Sequence, residues 1–315
     1  MTLPAQVAVA VSDAVGARIV REQPIGGGCI HHGARIDTDA GTTYFLKWNA
    51  SAAQGMFEAE ADGLQAIRAS GSLRAPSVVA WGEDWLLLEY VATARPAADT
   101  HERLGRGLAA MHTSASERTF GWRRDNWIGS LPQANRPAAS WADFWRDRRL
   151  APQLERARLG GYLQDATATR ALDAVLEVIP TALADVTRPE LVHGDLWGGN
   201  WLVAEVMEPS PGTVAQRGGH DGRRDPLRRG EPVLIDPAVY LGHGEVDLTM
   251  SELFGGFERA FYDAYHEVRG ISAEYRAYRR DLYQLYYLLV HVNLFGASYE
   301  ASALRAAQRV AAALT

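Results

Sequence analysis

The octapeptide His-Gly-Asp-Leu-Trp-Gly-Gly-Asn at positions 193–200 limits what this chain can become more than any other stretch. It sets a carboxylate, Asp195, and an amide, Asn200, on one tight loop. Phosphoryl transfer needs a base beside the attacking hydroxyl and an oxygen ligand for the Mg²⁺ that bridges the phosphates. A loop delivering Asp195 and Asn200 to one point supplies both. The alternative is a polar turn in which Asp and Asn only bond their own backbone.

The spacing is that of the kinase pattern H-R-D-L-x-x-x-N. Downstream, Val-Leu-Ile-Asp-Pro at 233–237 is an apolar strand that ends abruptly in Asp236. This is how a second metal-binding carboxylate arrives in kinases, where the motif is D-F-G. Pro237 and Ala238 stand in place of Phe and Gly, and no A-P-E triplet follows. The pattern therefore fits small-molecule kinases rather than protein kinases.

Lys47 is the third element. Of 32 basic residues it is the single lysine. A chain that uses arginine wherever positive charge suffices keeps one compact ammonium, at the end of the alternating run Thr-Thr-Tyr-Phe-Leu-Lys (42–47). A forked guanidinium cannot replace an ammonium lodged between phosphates and a helix glutamate. The alternative is a surviving surface lysine.

Composition excludes several classes. With 315 residues, one or two domains are expected. A net charge of −6 gives no basic footprint for nucleic acid or an anionic membrane. The start Met-Thr-Leu-Pro-Ala-Gln lacks a signal-peptide pattern. The apolar run Leu282–Phe295 contains Gln284, His291 and Asn293 and is too short to span a bilayer. One cysteine excludes an internal disulfide. Together these point to the cytoplasm.

Along the chain, residues 4–16 read as a helix, 18–25 and 29–37 as strands flanking Gly26, Gly27 and Gly28, and 38–41 as a turn into the Lys47 strand. A helix over about 55–70 places Phe57, Leu64 and Ile67 on one face, with Glu60 among them and Glu58 turned away. A charged group on an apolar stripe needs a partner, and Lys47 is the obvious one. A solvated edge position is the alternative for Glu60. Strands near 77–81 and 85–91 close a small lobe. The run 86–91 reads as an edge strand entering a linker, where main-chain groups from Glu89 to Val91 would meet adenine. Beyond it come helices at 101–113, 140–158, 164–180 and about 245–315, interrupted by strands at 201–206 and 232–236. Between those strands, 208–230 has almost no apolar residue and reads as a mobile hairpin insertion.

With these pieces assembled, the chain resembles the fructosamine kinase (ketosamine 3-kinase) family, within the aminoglycoside-phosphotransferase-like kinases. The matching segments are Gly-Gly-Gly-Cys-Ile (26–30), Phe-Leu-Lys-Trp-Asn (45–49), Met-Phe-Glu-Ala-Glu-Ala-Asp-Gly-Leu (56–64) and Leu-Gly-Arg-Gly-Leu-Ala-Ala-Met-His (104–112). They continue through Asp-Asn-Trp-Ile-Gly-Ser-Leu-Pro-Gln-Ala-Asn (125–135), the 193–200 loop, 235–248 and Glu-Leu-Phe-Gly-Gly-Phe (252–257). Trp197, the segment Pro-Ala-Val-Tyr-Leu-Gly-His (237–243) and the 125–135 loop are the family-specific parts. Departures are the 208–230 insertion, Leu241 where an aromatic is common, and Gly244 where Arg is common.

The resemblance implies an α+β, two-lobed, protein-kinase-like fold. A β-rich ATP-binding lobe would span 1–91 and a mainly helical catalytic and substrate lobe 92–315. It implies ATP- and Mg²⁺-dependent phosphorylation of the C3 hydroxyl of ketosamines, free or peptide-bound, giving a product that releases the amine. Asp195 becomes the base, Asn200 and Asp236 the metal ligands, and Lys47, held by Glu60, the clamp on the α/β-phosphates. Gly26, Gly27 and Gly28 allow close approach of the backbone to nucleotide. Trp197 is the candidate platform for substrate, or packs beneath the loop. His243 and Glu245 are candidate acceptor-site residues. Asp247 reads as a brace for the catalytic loop, or as a plain helix cap. His291 and Asn293 read as a buried hydrogen-bonded pair. Cys29 is a candidate redox switch, so the expected state is a monomer or a redox-linked dimer; small-hydrophobe packing is the alternative. Rival readings are another kinase of this fold, acting on an aminoglycoside, choline or a sugar, and a catalytically silent nucleotide-binding regulator.

Overall fold

The structure, a computed structural model, describes residues 3–26, 30–205 and 230–314. Gly27, Gly28, Cys29 and the insertion up to residue 229 therefore lie outside the described residues.

A helix, α1 (Ala5–Val15), opens the chain and ends where Gly16 takes a left-handed φ of 64° and its N–H bonds Ser12 O. Then come β1 (Ile19–Ile25), β2 (His32–Thr38), β3 (Thr43–Trp48), α2 (Met56–Ala69), β4 (Val78–Trp81) and β5 (Trp85–Glu89). The strands form one antiparallel sheet in the order β1-β2-β3-β5-β4. Val7 and Val11 of α1 pack with Ala34, Ile36, Leu46 and Leu87 on one side of it. On the other side Leu86 and Leu88 pack with Phe57, Leu64 and Ile67 of α2.

That two-sided burial corrects one expectation. β5 is an inner strand between β3 and β4, not an edge. Leu86, Leu87 and Leu88 are all buried, so the unbroken apolar run reports a strand covered on both faces.

Beyond β5 the chain crosses to the larger lobe by pairing with it: Ala94 N donates to Val203 O at 2.8 Å and Glu205 N to Ala92 O at 2.8 Å. α3 (Thr100–Thr113) is followed by a small hairpin, β6 (Asn126–Ile128) and β7 (Leu131–Gln133). Next come α4 (Trp141–Phe144), started by the Ser140 side chain accepting from Asp143 N, a π-helical stretch Trp145–Leu150, and α5 (Ala151–Leu159). α6 (Ala166–Ala182) begins where Asp165 accepts from the N–H groups of Thr167 and Ala168.

Two short ladders carry the site: β8 (Glu190–Val192) with β11 (Tyr240–Gly242), and β9 (Trp201–Ala204) with β10 (Glu231–Leu234). α7 (Glu245–Phe254), α8 (Arg259–Arg269), a π-helical turn Tyr275–Arg279, α9 (Arg280–Phe295) and α10 (Glu300–Leu314) complete the chain. Trp141, Phe144, Trp145, Tyr240, Tyr283, Tyr286 and Tyr287 dominate their core. A second core runs between the lobes, from Phe57 and Leu64 through Leu104 and Leu196 to Leu248. Among the described residues no helix is long and apolar enough to cross a membrane.

Candidate active site

Between the sheet and the helical lobe lies a cleft of about 970 Å³, lined among others by Gly26, Lys47, Glu60, Glu89, Val91, Asp195, Trp197, Asn200 and Asp236. Residues far apart in the chain converge here because β8–β9 and β10–β11 flank it from below while β3 and α2 supply its roof.

Lys47 extends from β3, whose register sets it opposite Gly33 and Leu86. Its Nζ donates to Glu60 Oε1 at 2.8 Å and to Asp236 Oδ1 at 2.9 Å. Burial by itself would lower the ammonium's pKa; Asp236 and Glu60 outweigh it and hold the group charged. At Glu60 burial wins, helped by Asp236, and the carboxyl pKa is raised despite Lys47. One ammonium thus serves two carboxylates, a local excess of negative charge that a divalent cation would offset.

The loop 193–200 is held by hydrogen bonds from several elements. Asp247 Oδ2 accepts from His193 N at 2.7 Å and Oδ1 from Gly194 N at 2.8 Å. His112 Nε2 lies 3.0 Å from Asp247 Oδ2, and its Nδ1 lies 2.7 Å from Tyr265 Oη. Both Asp247 and His112 are fully buried. Tyr287 Oη donates to Gly194 O at 2.9 Å. Gly194 sits at φ 82°, and a Cβ there would lie 2.2 Å from Ala238 O. His193 donates from Nε2 to Ile235 O at 2.9 Å, so its Nδ1 is left to accept from Asp195 N at 3.3 Å. Burial lowers the His193 pKa and keeps the ring neutral.

Asp195 receives Asn200 Nδ2 on its own carbonyl at 2.8 Å and on Oδ2 at 3.0 Å. Burial, then the charge of Asp236, pushes its carboxyl up to about 7, against the Asn200 hydrogen bond. A carboxyl poised near neutrality suits proton abstraction. Asn200 donates through Nδ2, which leaves its side-chain oxygen for a cation; Asp236, at φ 54°, turns a partly exposed carboxylate into the same space. Two oxygen ligands plus substrate phosphates match Mg²⁺, which rarely takes an all-protein cage.

Other sequence-predicted positions fall differently. Glu89 and Val91 line the cleft, and the Glu89 side chain is bound by Arg74 and by Ser77 Oγ at 2.7 Å, while Glu89 N donates to Ser77 O at 2.9 Å. Trp197 lines the cleft and also packs on the large core. His243 and Glu245 are not in the cleft: they line a second cavity of about 490 Å³ behind the catalytic loop. There His243 Nδ1 lies 2.9 Å from Tyr283 Oη, and Glu245 Oε1 accepts from Ser272 N at 2.9 Å. His291 and Asn293 do not pair with each other. His291 bonds Tyr287 O at 2.8 Å and lines the cleft between Phe254 and Tyr299, whereas Asn293 donates to Gln153. Cys29, Gly27 and Gly28 lie outside the described residues.

Sequence reasoning missed two cleft features. His31 follows the glycines and leans on Phe57, ring centres 4.8 Å apart, with its pKa lowered to about 4 by burial and by Lys47. The segment holding Asn126 and Trp127 reaches the cleft from the large lobe. The signal for the second was present in the 125–135 motif, but without a position in space.

Comparison with known proteins gives the family. The profile of the family described as fructosamine kinase matches residues 4–313. A Synechocystis protein provisionally named a ketoamine kinase is 38% identical over 293 residues, covering 91% of this chain and 88% of its own. The chloroplastic protein-ribulosamine 3-kinase of Arabidopsis thaliana is 35% identical over 300 residues, covering 93% and 83%. A Thermobifida fusca crystal structure with a provisional fructosamine-3-kinase assignment superposes with a TM-score of 0.81 at 34% identity, over 96% of this chain and 98% of that one. ADP-bound aminoglycoside phosphotransferase APH(2'')-Ib shares the fold at 13% identity, with a TM-score of 0.59 over 98% and 99%. With its two-lobed, protein-kinase-like fold, the chain belongs to the fructosamine kinase family and is an ATP-dependent phosphotransferase.

Proposed function

We propose that this protein transfers the γ-phosphoryl group of ATP to the C3 hydroxyl of a ketosamine, the adduct of a sugar with an amine. The observation that carries the reading is the convergence of Lys47, Asp195, Asn200 and Asp236 in one cleft. A nucleotide-binding regulator would have no need of all four. The names of the relatives, ketoamine kinase and protein-ribulosamine 3-kinase, support the substrate class.

Asp195 accepts the proton of the attacking hydroxyl and orients it. Lys47, held by Glu60, clamps the α/β-phosphates as a point charge. Main-chain groups between Glu89 and Val91 bond adenine, and Gly26 lines the cleft on the side of the phosphates. Asn200 and Asp236 would hold Mg²⁺, which when bound neutralises charge on the transferring phosphoryl group. Trp197 forms the platform for the sugar-amine. The phosphorylated ketosamine is unstable and releases its amine, so the reaction would remove sugar from amines.

The test is ADP release with fructose-, ribulose- and erythrulose-amine adducts beside kanamycin and choline. Turnover should be confined to the ketosamines. Preference for kanamycin or choline would move the chain to a neighbouring kinase activity.

A further inference from the structure

The Glu60 helix, α2, is held on two opposed faces. Glu58 and Asp62 stand four residues apart on one face, while Glu60 projects from the far side toward Lys47. The face carrying Glu58 and Asp62 is gripped by residues that follow α3. Asp62 Oδ2 accepts from Trp122 Nε1 at 2.6 Å and Oδ1 from Arg123 Nε at 2.9 Å, and Glu58 Oε1 accepts from Arg124 Nη2 at 2.6 Å. The Asp62 side chain is only 13% exposed, so its bond from Trp122 is not an ordinary surface contact, whereas the Arg123 pair is solvent-screened.

The same stretch of chain is bound at once to the residues after Asp236. Gly121 and Leu241 exchange two backbone hydrogen bonds, at 2.9 and 2.8 Å. Asn126 Nδ2 donates to Val239 O at 2.8 Å, and Gln133 Nε2 to Asn126 Oδ1 at 2.7 Å. Asn126 and Gln133 are buried, and Arg149 Nη2 fixes Asn135 Oδ1 at 2.6 Å. Directly between the two anchored parts, Gly63 of α2 lies against Pro237 and Val239, where a Cβ would come within 3.1 Å of Pro237 Cγ.

We infer that residues 121–135 act as a fixed strap, tying the helix of Glu60 to the turn of Asp236 so that both carboxylates meet Lys47. Asp62 and Trp122 are positioning residues: neither lines the cleft, and both act through α2. The strap takes the part that an activation segment would play in holding the helix inward. The inference rests on the reading of Lys47, Glu60 and Asp236 as the nucleotide-phosphate site.

The single lysine supplies a direct readout. Amine acylation of the full chain, followed by peptide mass spectrometry, reports the reactivity of Lys47 without interference from any other side chain. Asp62→Ala should make Lys47 label roughly 10–100-fold faster, the equivalent of losing a hydrogen bond to a charged group. It should lower kcat by a similar factor and leave the ketosamine KM within about twofold. Trp122→Phe, which keeps an aromatic side chain and removes the indole donor, should shift both readings the same way by less and carries the test if Asp62→Ala does not fold. Asp62→Glu should restore part of both. Labelling and kcat within twofold of wild type in Asp62→Ala, or in Trp122→Phe if only that variant folds, would overturn the strap. A separate arm addresses the underlying reading: MgATP should slow Lys47 labelling in the wild type, and failure there would count against the nucleotide site, not the strap.

Discussion

Asp195→Asn should make the protein more stable and nearly inactive at the same time. The Asp195 carboxyl is pushed from 3.8 up to about 7, first by burial and then by Asp236. A shift of that size is worth roughly 4 kcal/mol at full value. Asp195 still faces the cleft, and water there screens part of the penalty, so about 1–3 kcal/mol is expected. The sign follows from linkage. A carboxyl whose folded pKa is raised carries no penalty while protonated, and the wild type loses stability as pH rises from about 4 through 7. The asparagine variant has no such loss. Its advantage should therefore be small at pH 4 and full at pH 8.5, measured by urea unfolding in EDTA without nucleotide. In turnover, kcat should fall by roughly 10²–10⁴ with little change in ATP KM. The wild-type kcat/KM for acceptor should show an acid limb below neutrality, moved lower by a cation that offsets Asp236. Equal stability at pH 8.5, or an equal gain at both pH values, would refute the electrostatic account. Wild-type-like turnover would refute the role of Asp195.

Lys47→Arg should fold yet lose at least roughly tenfold in kcat/KM for ATP, because a forked guanidinium cannot occupy the buried point between Glu60 and Asp236; steady-state kinetics with circular dichroism check it. Asp247→Asn replaces an acceptor of two backbone N–H groups by a single amide oxygen, and should cost about 2–3 kcal/mol in denaturant unfolding along with a loss of kcat. Gly194→Ala should be inactive or unfolded, since φ 82° and the Ala238 carbonyl both exclude a Cβ; soluble yield and ADP release decide it.

The candidate site residues were legible because their constraints are local. Asp195 and Asn200 share one loop, Lys47 ends an alternating strand, and the periodicity of α2 places Glu60 on the face of Phe57 and Leu64. What depends on the return path of the chain was not. His243 and Glu245 follow Asp236 closely, but β11 pairs with β8 and carries them behind the catalytic loop, a turn that no spacing reveals. The run 86–88 could not be assigned to an inner strand until α1 was known to cover its second face. The π-helical stretches at Trp145–Leu150 and Tyr275–Arg279 read simply as helix, since their side-chain pattern hardly differs over so few residues. His291 lies on an apolar helix and looked structural; only the packing of α9 beside the loop turns it toward the cleft.

The central claim is that the Asp195 site phosphorylates a ketosamine on its sugar. Incubating a ribulosamine or fructosamine peptide with the purified protein, ATP and Mg²⁺, and following it by mass spectrometry, tests this most directly. The account predicts one added phosphate on the sugar, placed on the C3 oxygen by fragmentation or NMR, then slow appearance of the free amine, and neither event with Asp195→Asn. Phosphate on no ketosamine, or on an aminoglycoside instead, would contradict it.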